Sequence, residues 1–213
     1  MYTLKQILKM KPLDRNQFVA RKLGKLNNQI VLDVGCRDRI FERTLEGNFK
    51  YIGIDYDPSK KETDFINHNL ENGLPQNLGP IDIINAMDVL EHVENIHNLF
   101  SEFFETADSK IAIALPNMSY YKFRLSLLFT GEISGKYIFH AHKIADRHRW
   151  FTTYYNNINF IKKNTPDNWK INHFNFVAQR KRNFLFFHIE KFLSKFFPKL
   201  FIYENIFIFE KKN

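Results

Sequence analysis

Two short stretches of the 213-residue chain carry acids to places where a ligand can meet them. Val31-Leu32-Asp33-Val34-Gly35-Cys36 reads as a buried strand ending in Asp-x-Gly; the glycine lets backbone approach a ligand and the acid sits at the strand's carboxyl end. Twenty residues after Gly35, Tyr51-Ile52-Gly53-Ile54-Asp55 ends in a second acid, placed to take two hydrogen bonds from a ribose diol. A third cluster, Asp88-x-x-Glu91-His92, puts two carboxylates on neighbouring positions of one helical face with an imidazole beside them. Oxygen ligands with one nitrogen suit a divalent ion such as magnesium, manganese or zinc, and His148, or His140 or His142, can complete the sphere from a polar loop.

The glycines discriminate between ligands. A dinucleotide needs G-x-G-x-x-G to seat its pyrophosphate at a helix N-terminus, but Cys36, Arg37, Asp38, Arg39 and Ile40 follow Gly35. A nicotinamide cofactor is therefore disfavoured. An acid two residues before the only glycine suits a ligand with a cationic amino group and a ribose, which points to S-adenosylmethionine.

These residues need a scaffold. Gln29–Val34, Tyr51–Ile54, Ile81–Ile84 and Ile111–Leu115 are short Ile- and Val-rich runs, as expected of parallel strands covered on both faces. Between them, Arg39–Glu46 reads as a helix stopped by Gly47, and Ile96–Phe104 places Ile96, Leu99, Phe100 and Phe103 on one helical face. Upstream, Asp14 and Gln17 form a capping-box pattern opening a helix that Gly24 ends. Tyr120–Phe129 reads as an aromatic, basic helix closed by Thr130-Gly131, and Thr152 or Thr153 as the cap of another. Trp169–Ala178 and Ile202–Glu210 read as two antiparallel strands. The expected organisation is one domain over 1–213: an N-terminal helical extension (1–28), a cofactor-binding core (29–116), a substrate lid (117–168), and a strand pair with a basic amphipathic insertion (169–213).

Composition limits the alternatives. Hydrophobic residues at 44% and charged residues at 25% fit a folded globular chain rather than a disordered one. The lone Cys36 allows no internal disulfide and no Cys-x-x-Cys pair, which fits a reducing compartment. Residues 1–21 lack the apolar run of a secretory signal or membrane span, so a cytoplasmic location is expected. Of the net +8, residues 1–30 carry +6 and 180–213 carry +5, leaving the middle at −3. In 184–201, His188, Lys191, Lys195 and Lys199 form a polar stripe beside Leu185, Ile189, Phe192, Leu193, Phe196 and Phe197, with Pro198 expected to end or kink the helix. That face suits packing within the fold or peripheral contact with an anionic membrane; nucleic acid is not the favoured partner.

The four strand-end motifs in this order resemble the class I S-adenosylmethionine-dependent methyltransferases. Val31–Cys36 is similar to their first motif, Tyr51–Asp55 to the second, Ile81–Val93 with its Leu90-Glu91-His92 turn to the fourth strand, and Ala112–Asn117 to the fifth. Gly131, His148–Thr152 and Phe197–Phe201 resemble the branch of methionine- and ubiquinone-biosynthesis-like enzymes. The resemblance implies a Rossmann-like α/β fold: a seven-stranded, mostly parallel sheet, helices on both faces and an antiparallel C-terminal strand. It implies that Asp33 and Gly35 face the methionyl end of the cofactor, Asp55 the ribose, Asn69 and Leu70 the adenine, and that Asn85, Ala86 and Met87 line the pocket. Arg37 and Arg39 stand where relatives carry glycine; Arg37 is expected to pair with the methionyl carboxylate, and the loss of both glycines leaves a catalytically weakened, ligand-binding protein as the alternative. His92, His148 and Asp88 are the candidate bases for a hydroxyl acceptor, small or linked to lipid or sugar, and Asp88, Glu91 and His92 the implied metal set.

Overall fold

A computed structural model describes residues 14–56, 64–133, 136–137, 142, 147–177 and 184–212; His140 lies outside them. The strands are β1 (Leu26–Val34), β2 (Gly47–Asp55), β3 (Phe65–Asn67), β4 (Ile81–Met87), β5 (Ala107–Pro116), β6 (Trp169–Phe176) and β7 (Glu204–Lys211). They form one sheet in the order β3-β2-β1-β4-β5-β7-β6. Pairing is parallel from β3 to β5, and antiparallel where β7 enters between β5 and β6. This is the expected seven-stranded α/β sheet. Its chain order reverses beside β1, and the carboxyl ends of β1, β2 and β4 open onto one edge, where such sheets bind ligands.

Helices α1 (Arg15–Leu23), α2 (Ile96–Thr106), α3 (Tyr121–Thr130), α4 (Tyr154–Asn164), α5 (Phe184–Leu193) and α6 (Pro198–Phe201) surround the sheet. Alternate strand residues serve opposite faces, as the two-residue period of a strand requires. Leu32, Val34, Ile84, Ile111 and Ile113 pack under α2 and α4 through Leu99, Phe100, Phe103 and Ile161. Val31, Ile83, Ala112 and Ile208 pack under Val19, Ala20 and Leu23 of α1. The capping box closes α1 as its sequence predicts: the Gln17 amide donates to Asp14 Oδ1 at 2.8 Å, the Gln17 side chain accepts from the Asp14 amide, and Gly24 ends the helix.

Two expectations are corrected. Arg39–Glu46 forms no α-helix; it is a set of turns with one 3-10 turn at Glu42–Thr44. Arg39 is in the left-handed region (φ 56°), which interrupts helical backbone, and Phe41 fills the vacated space against the α1 side of the core. Segment 184–201 is broken after Leu193, and Pro198 begins the second short helix rather than ending the first. Its apolar stripe is uncovered: Ile189, Phe192, Phe196 and Phe197 are exposed along with Lys191, Lys195 and Lys199, while Glu190 is buried.

Helix α1 matters beyond its own packing because its first residue, Arg15, reaches the site. Asp14→Ala should remove the cap bond and cost about 1 kcal/mol, typically 0.5–2, lowering the thermal midpoint by about 2–4 °C. Thermal denaturation followed by circular dichroism measures it, and an unchanged midpoint would mean that packing alone holds α1.

Candidate active site

The first element of the site is the turn after β1. Gly35 has φ +71°, and a Cβ there would come within 2.7 Å of Val89 Cγ2, so the turn can pass beneath the β4 loop only as glycine. Gly53 is constrained too, since a Cβ would sit 2.8 Å from Cys36 Sγ. Asp55 ties the turn to β2: its Oδ2 accepts the Arg37 amide at 2.8 Å and its Oδ1 the Tyr56 amide at 2.7 Å. Arg37 and Arg39 adopt φ of 44° and 56°, the left-handed conformation that glycine takes most readily. Arg39 is compensated by its side chain, which donates to both oxygens of Glu42 and both of Asp64 and lies 4.8 Å from the Tyr51 ring centroid. Its contact holds the Asp64 carboxyl below its usual pKa. Arg37 is exposed at the mouth of the turn.

Asp33 is buried beneath that turn. Its Cα is opposite Asn85 on β4 and Gly53 on β2, and this register brings two donors to it. Tyr51 Oη donates to Oδ2 at 2.5 Å and Asn85 Nδ2 to Oδ1 at 2.6 Å. Burial pushes its pKa up to about 6 although both hydrogen bonds favour the anion.

Past β4 lies a cluster of acids. Asp88 has φ 54° and pairs through Oδ2 with Arg15 Nη1, which also donates to Glu204 Oε1 at 2.8 Å. Burial raises the Asp88 pKa, but the Arg15 charge together with hydrogen bonds from Glu204 and Arg15 outweighs it, and the net shift is downward. Glu204, at the head of β7, moves the other way: burial and then the Asp88 charge hold it well above the ordinary value.

Glu91 is different from both. It is 0% exposed and its two carboxylate oxygens have no hydrogen-bond partner; burial, then Asp88, drive its pKa well up. Facing it are His92 Nε2 and His148 Nε2, each 3.9 Å from Glu91 Oε1. The far side of each ring fixes its tautomer. His92 Nδ1 is 2.9 Å from the Arg147 carbonyl, which only accepts. His148 Nδ1 is 2.9 Å from Tyr137 Oη, whose proton goes to the Trp150 carbonyl at 2.7 Å. Both Nδ1 atoms are therefore donors, which in the neutral rings leaves the Nε2 atoms, each 3.9 Å from Glu91 Oε1, as the acceptors. Arg149 and Trp150 amides donate to the Glu91 carbonyl, and Trp150 Nε1 donates to the Val93 carbonyl at 2.8 Å, so the segment 147–150 is stapled to the turn that carries Glu91 and His92. Candidate ligand atoms from Glu91, His92 and His148 lie within 4.8 Å of one another. A buried carboxylate without partners and two imidazoles oriented by carbonyl-linked hydrogen bonds fit a divalent ion.

The structure thus brings Glu91, His92 and His148 together and separates Asp88, expected as base or ligand, because Arg15 holds it. Asn85, Ala86 and Met87, expected to line the pocket, are buried inside β4: Asn85 supports Asp33, and Ala86 and Met87 belong to the cores on opposite sheet faces. Asp33, expected against the methionyl group, is enclosed by Tyr51 and Asn85. Asn69 Oδ1 accepts the Glu71 amide at 3.1 Å as cap of the turn Leu70–Asn72, and Leu70 packs half-buried on the core. His142 is exposed. Arg15, Tyr51, Tyr137 and Glu204 were not legible as site residues. Only Glu204 carried a signal, as an acid at the head of an apolar strand.

A family model described as "Methyltransferase domain" matches residues 10–159. No curated protein matches the sequence. Among solved structures, the small RNA methyltransferase HEN1 is similar over 100% of this chain at 14% identity with a TM-score of 0.66, and this chain spans 26% of its length. An S-adenosylmethionine-dependent methyltransferase from Listeria monocytogenes, described as unproven in function, is similar over 93% of this chain and 99% of its own, at 11% identity and TM-score 0.57. Magnesium protoporphyrin IX methyltransferase from Synechocystis, solved with S-adenosylhomocysteine, is similar over 92% of this chain and 81% of its own, at 14% identity and TM-score 0.53. The chain belongs to the class I S-adenosylmethionine-dependent methyltransferase family.

Because Asp33 binds its proton more tightly in the folded protein, its contribution to stability is fully present below the ordinary value of 3.8 and is lost as pH rises through about 6. Relative to Asp33→Asn, the native chain should lose of order 2 kcal/mol across that window. Urea denaturation of both proteins at several pH values measures this, and parallel stability curves would contradict the raised pKa.

Proposed function

We propose that this methyltransferase transfers the methyl group of S-adenosylmethionine to a hydroxyl oxygen of a small-molecule, lipid-linked or sugar-linked acceptor, with a divalent metal held by Glu91, His92 and His148. The observation that carries the oxygen assignment is Glu91, a buried carboxylate without hydrogen-bond partners facing two imidazole Nε2 atoms. A divalent ion at those three atoms would polarise the acceptor hydroxyl and lower its pKa.

The chain's own work is positional, since transfer from a sulfonium is an in-line displacement. The Gly35–Arg37 turn brings backbone to the methionyl end, and the exposed Arg37 guanidinium suits its carboxylate. Asp55 keeps lone pairs for the ribose diol beyond the two amides it accepts. Asp33 acts beneath the turn, by supporting it rather than by touching the donor. Asn69 and Leu70 stand beside β2 at the adenine end. The Arg15 pair lowers the proton affinity of Asp88, which makes it a poor base, and His92 and His148, with Nδ1 protonated and Nε2 given to the ion, would have no site for a proton, so a proton leaving the acceptor goes to water. The alternative of a weakened binding protein loses its motive, because Arg37 and Arg39 themselves adopt the conformation that glycines would supply. The lone Cys36 fits a cytoplasmic setting.

S-adenosylhomocysteine should raise the thermal midpoint, and Asp55→Ala should weaken that rise. Manganese or zinc should raise it separately. Glu91→Gln should abolish the metal effect and stabilise the metal-free protein at neutral pH, because it removes a buried carboxyl with no partner. A metal effect that persists in Glu91→Gln would contradict the site, and no response to S-adenosylhomocysteine would contradict the cofactor.

A further inference from the structure

Helix α3 leaves β5 at the carboxyl edge of the sheet, where the site opens, and it buries none of its residues. Leu125, Leu127, Leu128 and Phe129 are all exposed, the last two by 73% and 78%. A helix that exposes four large apolar side chains needs a cover. Beside its root stand α5 and α6, anchored by Tyr121 Oη donating to buried Glu190 at 2.6 Å and by the Tyr121 and Phe201 rings 5.3 Å apart. They and the turn between them add exposed Phe186, Ile189, Phe192, Phe196 and Phe197. Because β7 is antiparallel, with Glu204 opposite Pro116, α6 delivers the chain to the same edge of the sheet. Such a concentration of exposed apolar side chains marks an interaction surface.

Charge identifies what covers it. Lys122 and Arg124 on α3, and Lys191, Lys195 and Lys199 around α5 and α6, are exposed. Among the described residues of 121–131 and 184–201 the only acid is Glu190, which is buried against the two tyrosines. A second copy meeting this face through a two-fold axis would set cations against cations. Phe and Leu projecting among Lys and Arg is instead the pattern of a surface lying in the headgroup region of an anionic bilayer. No helix among the described residues is long and apolar enough to cross a membrane, so the contact would be peripheral.

We propose that α3 together with α5 and α6 docks the protein onto an anionic membrane, with the open edge of the sheet turned to a lipid-borne acceptor. The acceptor half of this rests on the methyl-transfer reading; the docking half stands alone. The test is flotation of the full chain with vesicles of phosphatidylcholine and phosphatidylglycerol, at low and high salt, against phosphatidylcholine alone. The protein should rise with the anionic vesicles, less at high salt, and stay down with neutral ones. The double change Leu128→Ser and Phe129→Ser, and the triple change of Lys191, Lys195 and Lys199 to Glu, should each weaken partitioning by about tenfold or more. The thermal response to S-adenosylhomocysteine should be unchanged in both variants, which shows that they are folded. Failure to float at low salt, flotation undiminished in the variants, or a dimer that Leu128→Ser and Phe129→Ser dissolves without any flotation would overturn the docking. Flotation with no response to S-adenosylhomocysteine would support docking and remove the methyl-transfer reading.

Discussion

The structure depends on how it accommodates carboxyl groups crowded at one edge of a sheet. Asp33, Asp55, Asp88, Glu91 and Glu204 stand at or just beyond the ends of β1, β2 and β4 and the head of β7. A buried carboxylate without a partner is strongly unfavourable. Most of the chain's irregular features answer that cost. Asp33 takes a phenol and an amide, Asp55 two backbone amides, and Asp88 and Glu204 share Arg15. Arg15 lies 73 residues from Asp88 and 189 from Glu204, so the placement of α1 against the sheet serves the site as well as the core. Only Glu91 is left without a hydrogen bond among these acids, and it is also the one that faces two imidazoles.

The same constraint explains the first turn. A helix after β1 would bring a positive N-terminal dipole to this edge of the sheet. Here the chain forms turns instead, with two arginines in left-handed backbone. Arg39 is bound into the protein by Glu42, Asp64 and the Tyr51 ring, and Tyr51 in turn donates to Asp33. Arg39 has thereby become part of the support beneath the Gly35–Arg37 turn. Arg37, left at the mouth, supplies formal positive charge where a helix would have supplied part of one.

What the sequence showed, it showed through local physics. Strand runs, the Asp14 capping box, Gly24 and the αL end of α3 at Gly131 follow from periodicity and cap chemistry, and all are present. Helix Arg39–Glu46 failed because its propensity was overridden by a long-range ion pair to Asp64 that no local window contains. Asp88 as a ligand failed for a similar reason, since its partner arrives from α1. The sequence offers His148 only as one of three histidines able to complete the sphere, and its orientation through Tyr137 and the stapling of Trp150 to Val93 are tertiary and leave no trace in spacing. The apolar stripe of 184–201 was visible, whereas its exposure was not: periodicity shows that a face is apolar, never what covers it.

The central claim is that this edge of the sheet holds a methyl donor and a metal side by side. Crystals grown with S-adenosylhomocysteine and manganese, measured at the manganese absorption edge, test it in one map. The account predicts an anomalous peak bounded by Glu91, His92 Nε2 and His148 Nε2, with the ligand running from the Gly35–Arg37 turn to Asp55. A manganese peak at Asp88 instead of Glu91, or a ligand bound away from Gly35 and Asp55, would contradict it.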